Sequence, residues 1–161
     1  MNQTSTPTTL PLSAASLRIA VVASKFNRNV SSRLVDGAIA CLRHHGSKIV
    51  VGDVLWVPGA FELPQAADLL ARNGRWDAIM CLGAVIRGET PHFEFVASEA
   101  ARGIQHVALT RGLPVVFGVV TTDNEQQALD RAGGSHGNKG WDAAATAIDM
   151  AHIFKTRRRR R

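Results

Sequence analysis

Four apolar runs, beginning near Arg18, Ile49, Ala78 and Val115, recur about one βα unit apart, and each leads into a segment with helical periodicity. This alternation is the tightest constraint on the fold. Parallel strands cannot be joined by tight turns; they need long crossovers, which are right-handed and place helices on both faces of the sheet. The expected architecture is an α/β protein, a three-layer αβα sandwich with a four-stranded parallel sheet. Its first strand is Ile19–Ala23, and the next helix runs from Val30 to His44, with Val30, Leu34, Ala38, Cys41 and Leu42 on one face and Gly46 at its end. The second strand spans Ile49–Val57, followed by Pro58-Gly59 and a helix from Glu62 to Arg72 closed by Asn73-Gly74. The third, Ala78–Leu82, passes through glycine into a long helix from Pro91 to Arg111, with Thr90 as the expected N-cap and Pro91 at the first helical position. The fourth, Pro114–Val120, precedes the polar turn Thr121–Asn124 and a helix through Arg131. A glycine-rich loop, Gly133–Gly140, introduces a last helix from Trp141 to about Lys155.

In a sheet of this kind ligands bind beyond the carboxyl ends of the strands. Residues able to do chemistry stand at all four: Ser24-Lys-Phe-Asn27, Pro58-Gly-Ala-Phe-Glu62, Gly88-Glu-Thr-Pro-His92 and Gly118–Asn124. Singly, each has a simpler role open to it. Phe26 and Phe61 are core-type residues, Glu62 suits the first turn of a helix, and Asn27 is a turn former or cap. Arg131 can satisfy a helix C-terminus, and Lys139 can be a solvated charge. Together they describe a small-molecule site.

The third exit is the most specific. A glycine-rich turn between a strand end and a helix N-terminus presents free backbone N–H groups to an anion such as phosphate, and His92 in the first helical turn is placed to move protons. The spacing from Gly83 to Gly88-Glu89-Thr90 is that of a nucleotide-binding loop, but Glu89 stands where such a loop needs lysine, which excludes a triphosphate. What remains is a single phosphate held by backbone N–H groups and the Thr90 hydroxyl, with an arginine supplied from elsewhere. His44, His45, His106, His136 and His152 show no ligand spacing, so no metal is expected, and Cys81 in a buried strand is a poor nucleophile.

Composition sets the context. With 161 residues, 45% of them apolar, the chain is long enough to bury one full core. Residues 1–16 carry no charge, are rich in Ser, Thr and Pro, and lack the basic and apolar regions of a signal peptide. They are expected to be a flexible or neighbour-bound arm, followed by the α/β domain over 17–155 and a basic tail over 156–161. Cys41 and Cys81, without CxxC spacing, read as buried thiols of a cytoplasmic protein. Most of the formal charge of +6 comes from the five arginines Arg157–Arg161. The preferred reading of that run is a solvated terminus that also complements the last helix dipole; polyanion binding is the alternative, and no interleaved aromatic residue favours it.

Five linked motifs carry a resemblance: Ser24-x-Phe-Asn27, Pro58-Gly-Ala-Phe-Glu-Leu-Pro64, Gly83-x-Val-Ile-Arg-Gly-Glu-Thr-x-His-Phe-Glu94, Phe117-Gly-Val-x-Thr-Thr122 and Ala132-Gly-Gly-x-His-Gly-Asn-Lys-Gly140. In order and spacing, over about Leu17 to Phe154, they resemble the lumazine synthases. The resemblance implies a flavodoxin-like sheet and a cofactor-free transferase of riboflavin biosynthesis. Such an enzyme condenses 5-amino-6-(D-ribitylamino)uracil with 3,4-dihydroxy-2-butanone 4-phosphate to 6,7-dimethyl-8-ribityllumazine. By resemblance, Phe26 stacks on the pyrimidine and Asn27 shapes its pocket, while Ala60, Phe61 and Glu62 hold the ribityl side. Ala84, Val85 and Ile86 line the polar edge of the ring, Glu89 and Thr90 contact the phosphate, and His92 transfers protons. Phe117, Arg131 and Lys139 then complete the pocket from an adjacent subunit, with Arg131 pairing the phosphate, so a homopentamer is the minimum active unit. Gly137–Gly140 carries no extra residues, as in relatives that build a shell of twelve pentamers, whereas Pro7 and Pro11 weaken strand pairing by the arm; the balance leans to the shell. The alternative function is a shell or scaffold protein of the same fold with little turnover. The set Phe26, Glu62, Thr90, His92, Arg131 and Lys139 favours the enzyme, because a scaffold has no need of all six.

Overall fold

The computed structural model describes residues 12–158; most of the expected arm, with Pro7 and Pro11, and Arg159–Arg161 of the tail lie outside the described residues. Strands β1 (Ile19–Ser24), β2 (Leu55–Val57), β3 (Ala78–Ile86) and β4 (Val115–Thr122) form one parallel sheet in the order β2-β1-β3-β4. Helices α1 (Arg28–His44) and α5 (Lys139–Arg158) cover one face, and α2 (Leu63–Ala71) and α3 (His92–Arg111) cover the other. A short helix α4 (Glu125–Asp130) follows β4, and β5 (Ala132–Gly134) pairs antiparallel with β6 (Gly137–Asn138). The three-layer αβα sandwich with a four-stranded parallel, flavodoxin-like sheet is therefore the fold.

Burial on both faces explains the continuous apolar runs. Val21 and Ala23 of β1 pack with Val35 and Ile39 of α1 and Ile148 of α5. Their neighbours Ala20 and Val22 point the other way, to Leu63 and Ala67 of α2 and Ile104 of α3. Close approach of the helices is bought with small residues: a Cβ on Gly103 of α3 would lie 2.7 Å from the Pro64 ring of α2.

Several expectations need correction. The third strand does not end at Leu82 but runs through Gly83 to Ile86, and the fourth runs to Thr122 rather than Val120, because the two stay paired in register over that length. The second strand does not span Ile49–Val57: only Leu55–Val57 pairs, because Val51–Asp53 form a 3₁₀ turn. Asp53 drives that turn, its carboxylate accepting the Val50 N–H at 3.0 Å and its own N–H donating to the Val50 carbonyl at 2.9 Å. Thr90 does not cap α3; Pro91 stands at the N-cap position, and its carbonyl accepts the Glu94 N–H at 3.0 Å. The glycine-rich segment is the β5–β6 hairpin rather than an open loop, and the last helix starts at Lys139 and runs to Arg158. Asn138 explains the earlier start. Its Oδ1 accepts the N–H groups of Gly140 (2.8 Å) and Trp141 (3.3 Å), while its amide donates to the Arg33 carbonyl of α1 at 2.9 Å.

Candidate active site at the strand exits

Asn27 shapes the first exit. It has left-handed backbone angles (φ 55°, ψ 45°), which asparagine tolerates better than most residues, and it turns the chain directly from β1 into α1. Its side-chain amide donates to the Ala84 carbonyl at 3.0 Å, joining the exits of β1 and β3 where the strand order reverses. On the other side, the N–H groups of Lys25 and Phe26 donate to the carbonyls of Val57 (2.7 Å) and Pro58 (3.0 Å), joining the exits of β1 and β2. Beneath them the buried Ser24 and Ser31 hydroxyls meet at 3.3 Å, and Ser31 also donates to the Phe26 carbonyl at 3.4 Å. This scaffold lifts the aromatic side chains out of the core. Phe26 is 72% exposed and Phe61 50% exposed, so both are open platforms rather than core residues. Ala60–Glu62 form a single 3₁₀ turn, with Ala60 buried and Glu62 half-buried at the head of α2.

At the third exit Ala84 and Val85 are buried, Ile86 is half-buried, and the chain then emerges through Gly88, Glu89, Thr90 and His92, all exposed. Glu89, Thr90 and His92 make no side-chain hydrogen bond or ion pair among the described residues, and a Cβ on Gly88 would meet nothing within 4 Å. The turn thus offers accessible backbone and uncommitted polar groups. A brace fixes its base. The Arg87 N–H donates to the Thr122 carbonyl at 2.8 Å. The Arg87 guanidinium pairs with Asp123 at 2.9 Å and Glu94 at 3.6 Å, and lies 4.7 Å from the centre of the Phe93 ring. Asp123 is in turn held by its N–H donating to Gln127 at 3.0 Å. The brace follows from register and not from periodicity: Ile86 pairs with Thr122, which sets residues 87 and 123 side by side.

The remaining candidates lie in β4 and the segment that follows it. Arg131 closes α4, with its guanidinium donating to the Gln127 carbonyl at 3.0 Å. Its own carbonyl accepts the Lys139 N–H at 2.8 Å, so the hairpin holds the two basic residues together; Lys139 pairs with Asp142 at 3.0 Å. Phe117, 43% exposed, lies in mid-strand opposite Cys81, about 16 Å before the end of β4 at 3.3 Å per residue. Phe117 and Lys139 line a groove of about 530 Å³ along the outer edge of β4, between Gln105 and Leu109 of α3 and Thr146 and Met150 of α5. No strand among the described residues pairs with that edge. The chain therefore presents two separate partial sites, a shelf at the exits of β1, β2 and β3 and a groove at the edge of β4.

The thiols are not part of either. Cys41 and Cys81 are free and buried, and burial pushes the Cys81 thiol up to about 12 and that of Cys41 upward as well, so neither is a thiolate near neutrality. Among the described residues no group of three His, Cys, Asp or Glu could hold a metal ion, and no helix is long and apolar enough to cross a membrane. The family model for 6,7-dimethyl-8-ribityllumazine synthase matches residues 16–155 of the chain.

Proposed function

From the membership of this chain in the 6,7-dimethyl-8-ribityllumazine synthase family, a transferase family of riboflavin biosynthesis, we propose that it condenses 5-amino-6-(D-ribitylamino)uracil with 3,4-dihydroxy-2-butanone 4-phosphate. The products are 6,7-dimethyl-8-ribityllumazine, inorganic phosphate and water. The observation that carries this reading is the shelf itself. Hydrogen bonds from Asn27 to Ala84 and from Phe26 to Pro58 unite an open aromatic ring, a carboxylate and a glycine turn with a histidine at three adjacent strand ends.

The chemistry asks little of a protein nucleophile. The uracil's own amine attacks the ketone, water leaves to form an imine, phosphate is eliminated, and the second nitrogen closes the ring with loss of another water. The protein has to orient two substrates, hold a phosphate and move protons. Phe26 stacks on the pyrimidine and Asn27 fixes the floor beneath it. Ala60 and Phe61 flank the ribityl chain, whose hydroxyls donate to Glu62. Backbone groups of Ala84, Val85 and Ile86 read the polar edge of the ring. The main-chain N–H groups around Glu89 and the Thr90 hydroxyl take the phosphate, and His92 beside them shuttles protons to and from the reacting carbons.

A phosphate dianion needs more than one helix N-terminus to compensate it, and among the described residues the two arginines at the exits are engaged, Arg87 by Asp123 and Glu94 and Arg28 over the Trp56 ring at 4.2 Å. Arg131 of an adjacent subunit fills that need, with Phe117 closing over the pyrimidine and Lys139 adding charge. The edge groove of one copy then meets the shelf of the next, and a ring such as a pentamer follows from head-to-tail repetition. Purified protein given both substrates should form the fluorescent lumazine well above the spontaneous rate. Ligand binding with no such excess would reject the synthase and leave the scaffold reading.

A further inference from the structure

The end of the molecule opposite the proposed active site carries a charge distribution that the condensation does not use. In this fold α1, α2, α3 and α5 all run back from the strand exits and finish where the strands begin. Each finishes in basic residues: Arg43 in the last turn of α1, Arg72 and Arg75 after α2, Arg111 at the end of α3, and Arg157 and Arg158 at the end of α5. The ends are neighbours, since the Arg158 guanidinium donates to the Gly112 carbonyl just beyond α3 at 2.6 Å.

Local compensation accounts for only part of this charge. Four helix C-termini amount to about half a negative charge each. Two carboxylates are already shared, Asp68 between Arg72 (2.6 Å) and Arg111 (2.7 Å), and Asp77 between Arg18 (3.7 Å) and Lys155 (3.4 Å). Arg43, Lys48, Arg75 and Arg157 have no carboxylate partner among the described residues, and the arginine run continues in sequence to Arg161. The active-site end is mixed in sign, with Glu62, Glu89, Glu94, Asp123 and Glu125 around the exits set against Lys25, Arg28, Arg87 and Arg131. Positive potential is thus gathered on one face of a chain whose formal charge is +6. The tail taken alone reads as a solvated terminus; its place among four basic helix ends changes that reading.

We propose that this face binds nucleic acid through its phosphate backbone, without sequence preference. Three features select this partner. The excess charge is mostly arginine, whose planar fork matches phosphate oxygens in pairs. Charges spread over several helix ends suit a chain of regularly spaced phosphates, whereas an acidic peptide would find enough charge on the tail alone. The helices meet the face end-on, so no amphipathic helix lies in its plane to enter a bilayer. With no aromatic run to stack on bases, binding is electrostatic and rests on counterion release.

The test uses the full chain and a fluorescein-labelled oligouridylate of about 20 nucleotides, followed by anisotropy across salt concentrations. With about five phosphates neutralised, log K should fall against log salt with a slope of about −3.5. Deleting residues 157–161 should weaken binding at low salt at least about tenfold and flatten the slope, and Arg43→Gln with Arg75→Gln should weaken it a further few-fold, about 0.7 of a unit of slope per lost contact. Lumazine formation should be unchanged in both variants, which verifies folding. Full binding without the tail, indifference to Arg43→Gln with Arg75→Gln, a flat salt dependence, or capture by phosphatidylserine vesicles with none by RNA would each overturn the proposal.

Discussion

In the proposed mechanism His92 and Arg131 have two separate jobs, proton movement and phosphate charge, and substitution should separate them too. Arg131→Ala removes a charge-assisted contact of about 2 kcal/mol, so KM for the phosphate-bearing substrate should rise about 30-fold while KM for the uracil hardly moves. His92→Ala should lower kcat by only about tenfold with little change in either KM, because the bound substrates already tend to condense in solution. Steady-state kinetics on both substrates checks the pair, and equal loss of affinity for both in Arg131→Ala would contradict the first assignment. His92 was legible in the sequence because it stood beyond a predicted strand end, whereas Arg131 closes a helix and its role came from the resemblance. Arg87 and Asp123 were not legible, since their pairing depends on the register of β3 against β4, which periodicity does not give. Thr90 was misplaced as a cap for a related reason: Thr-Pro is a strong local start signal, and the geometry of the turn put Pro91 at the boundary instead.

The start of α5 fixes the edge groove, because Lys139 leaves from it and Asn138 ties it to α1. Gly140 is the most confined position there: a Cβ would run into the Leu34 carbonyl of α1, a backbone atom that cannot swing aside. Gly140→Ala should therefore cost about 3 kcal/mol in denaturant unfolding. Asp68 joins α2 to α3, and hydrogen bonds from Arg111 and Arg72 hold its carboxyl below the ordinary range. A depressed folded-state pKa stabilises above the unfolded value of about 4 and loses that contribution as pH falls through the folded value. Asp68→Asn should lower stability at pH 7 by about 0.5–1 kcal/mol, since the pair is partly exposed, and the gap from the parent should close in acid; a gap constant with pH would contradict this. The helices themselves were legible from period and glycine stops. The second strand was over-read because Ile49–Val57 is apolar almost throughout, while Gly52-Asp53 in its middle carries turn chemistry that the apolar count hides.

At the scale of the whole molecule, the decisive feature is that the chain holds two partial sites that do not meet. The exit shelf was legible from sequence because the fold class dictates where strands end. The edge groove was not, since it depends on β4 being the last strand and on the space α3 and α5 leave beside it. The resemblance, not the spacing, assigned Phe117, Arg131 and Lys139 to a neighbour. Glu62→Ala should disable the shelf and Arg131→Ala the contribution of the adjacent subunit, and each variant should be nearly inactive at low substrate. The direct measurement is lumazine formation by an equimolar mixture of the two, dissociated and reassembled together. If sites are shared between chains, about a quarter of them regain both intact halves, and activity should rise well above the mean of the parents. Activity equal to that mean would contradict the account.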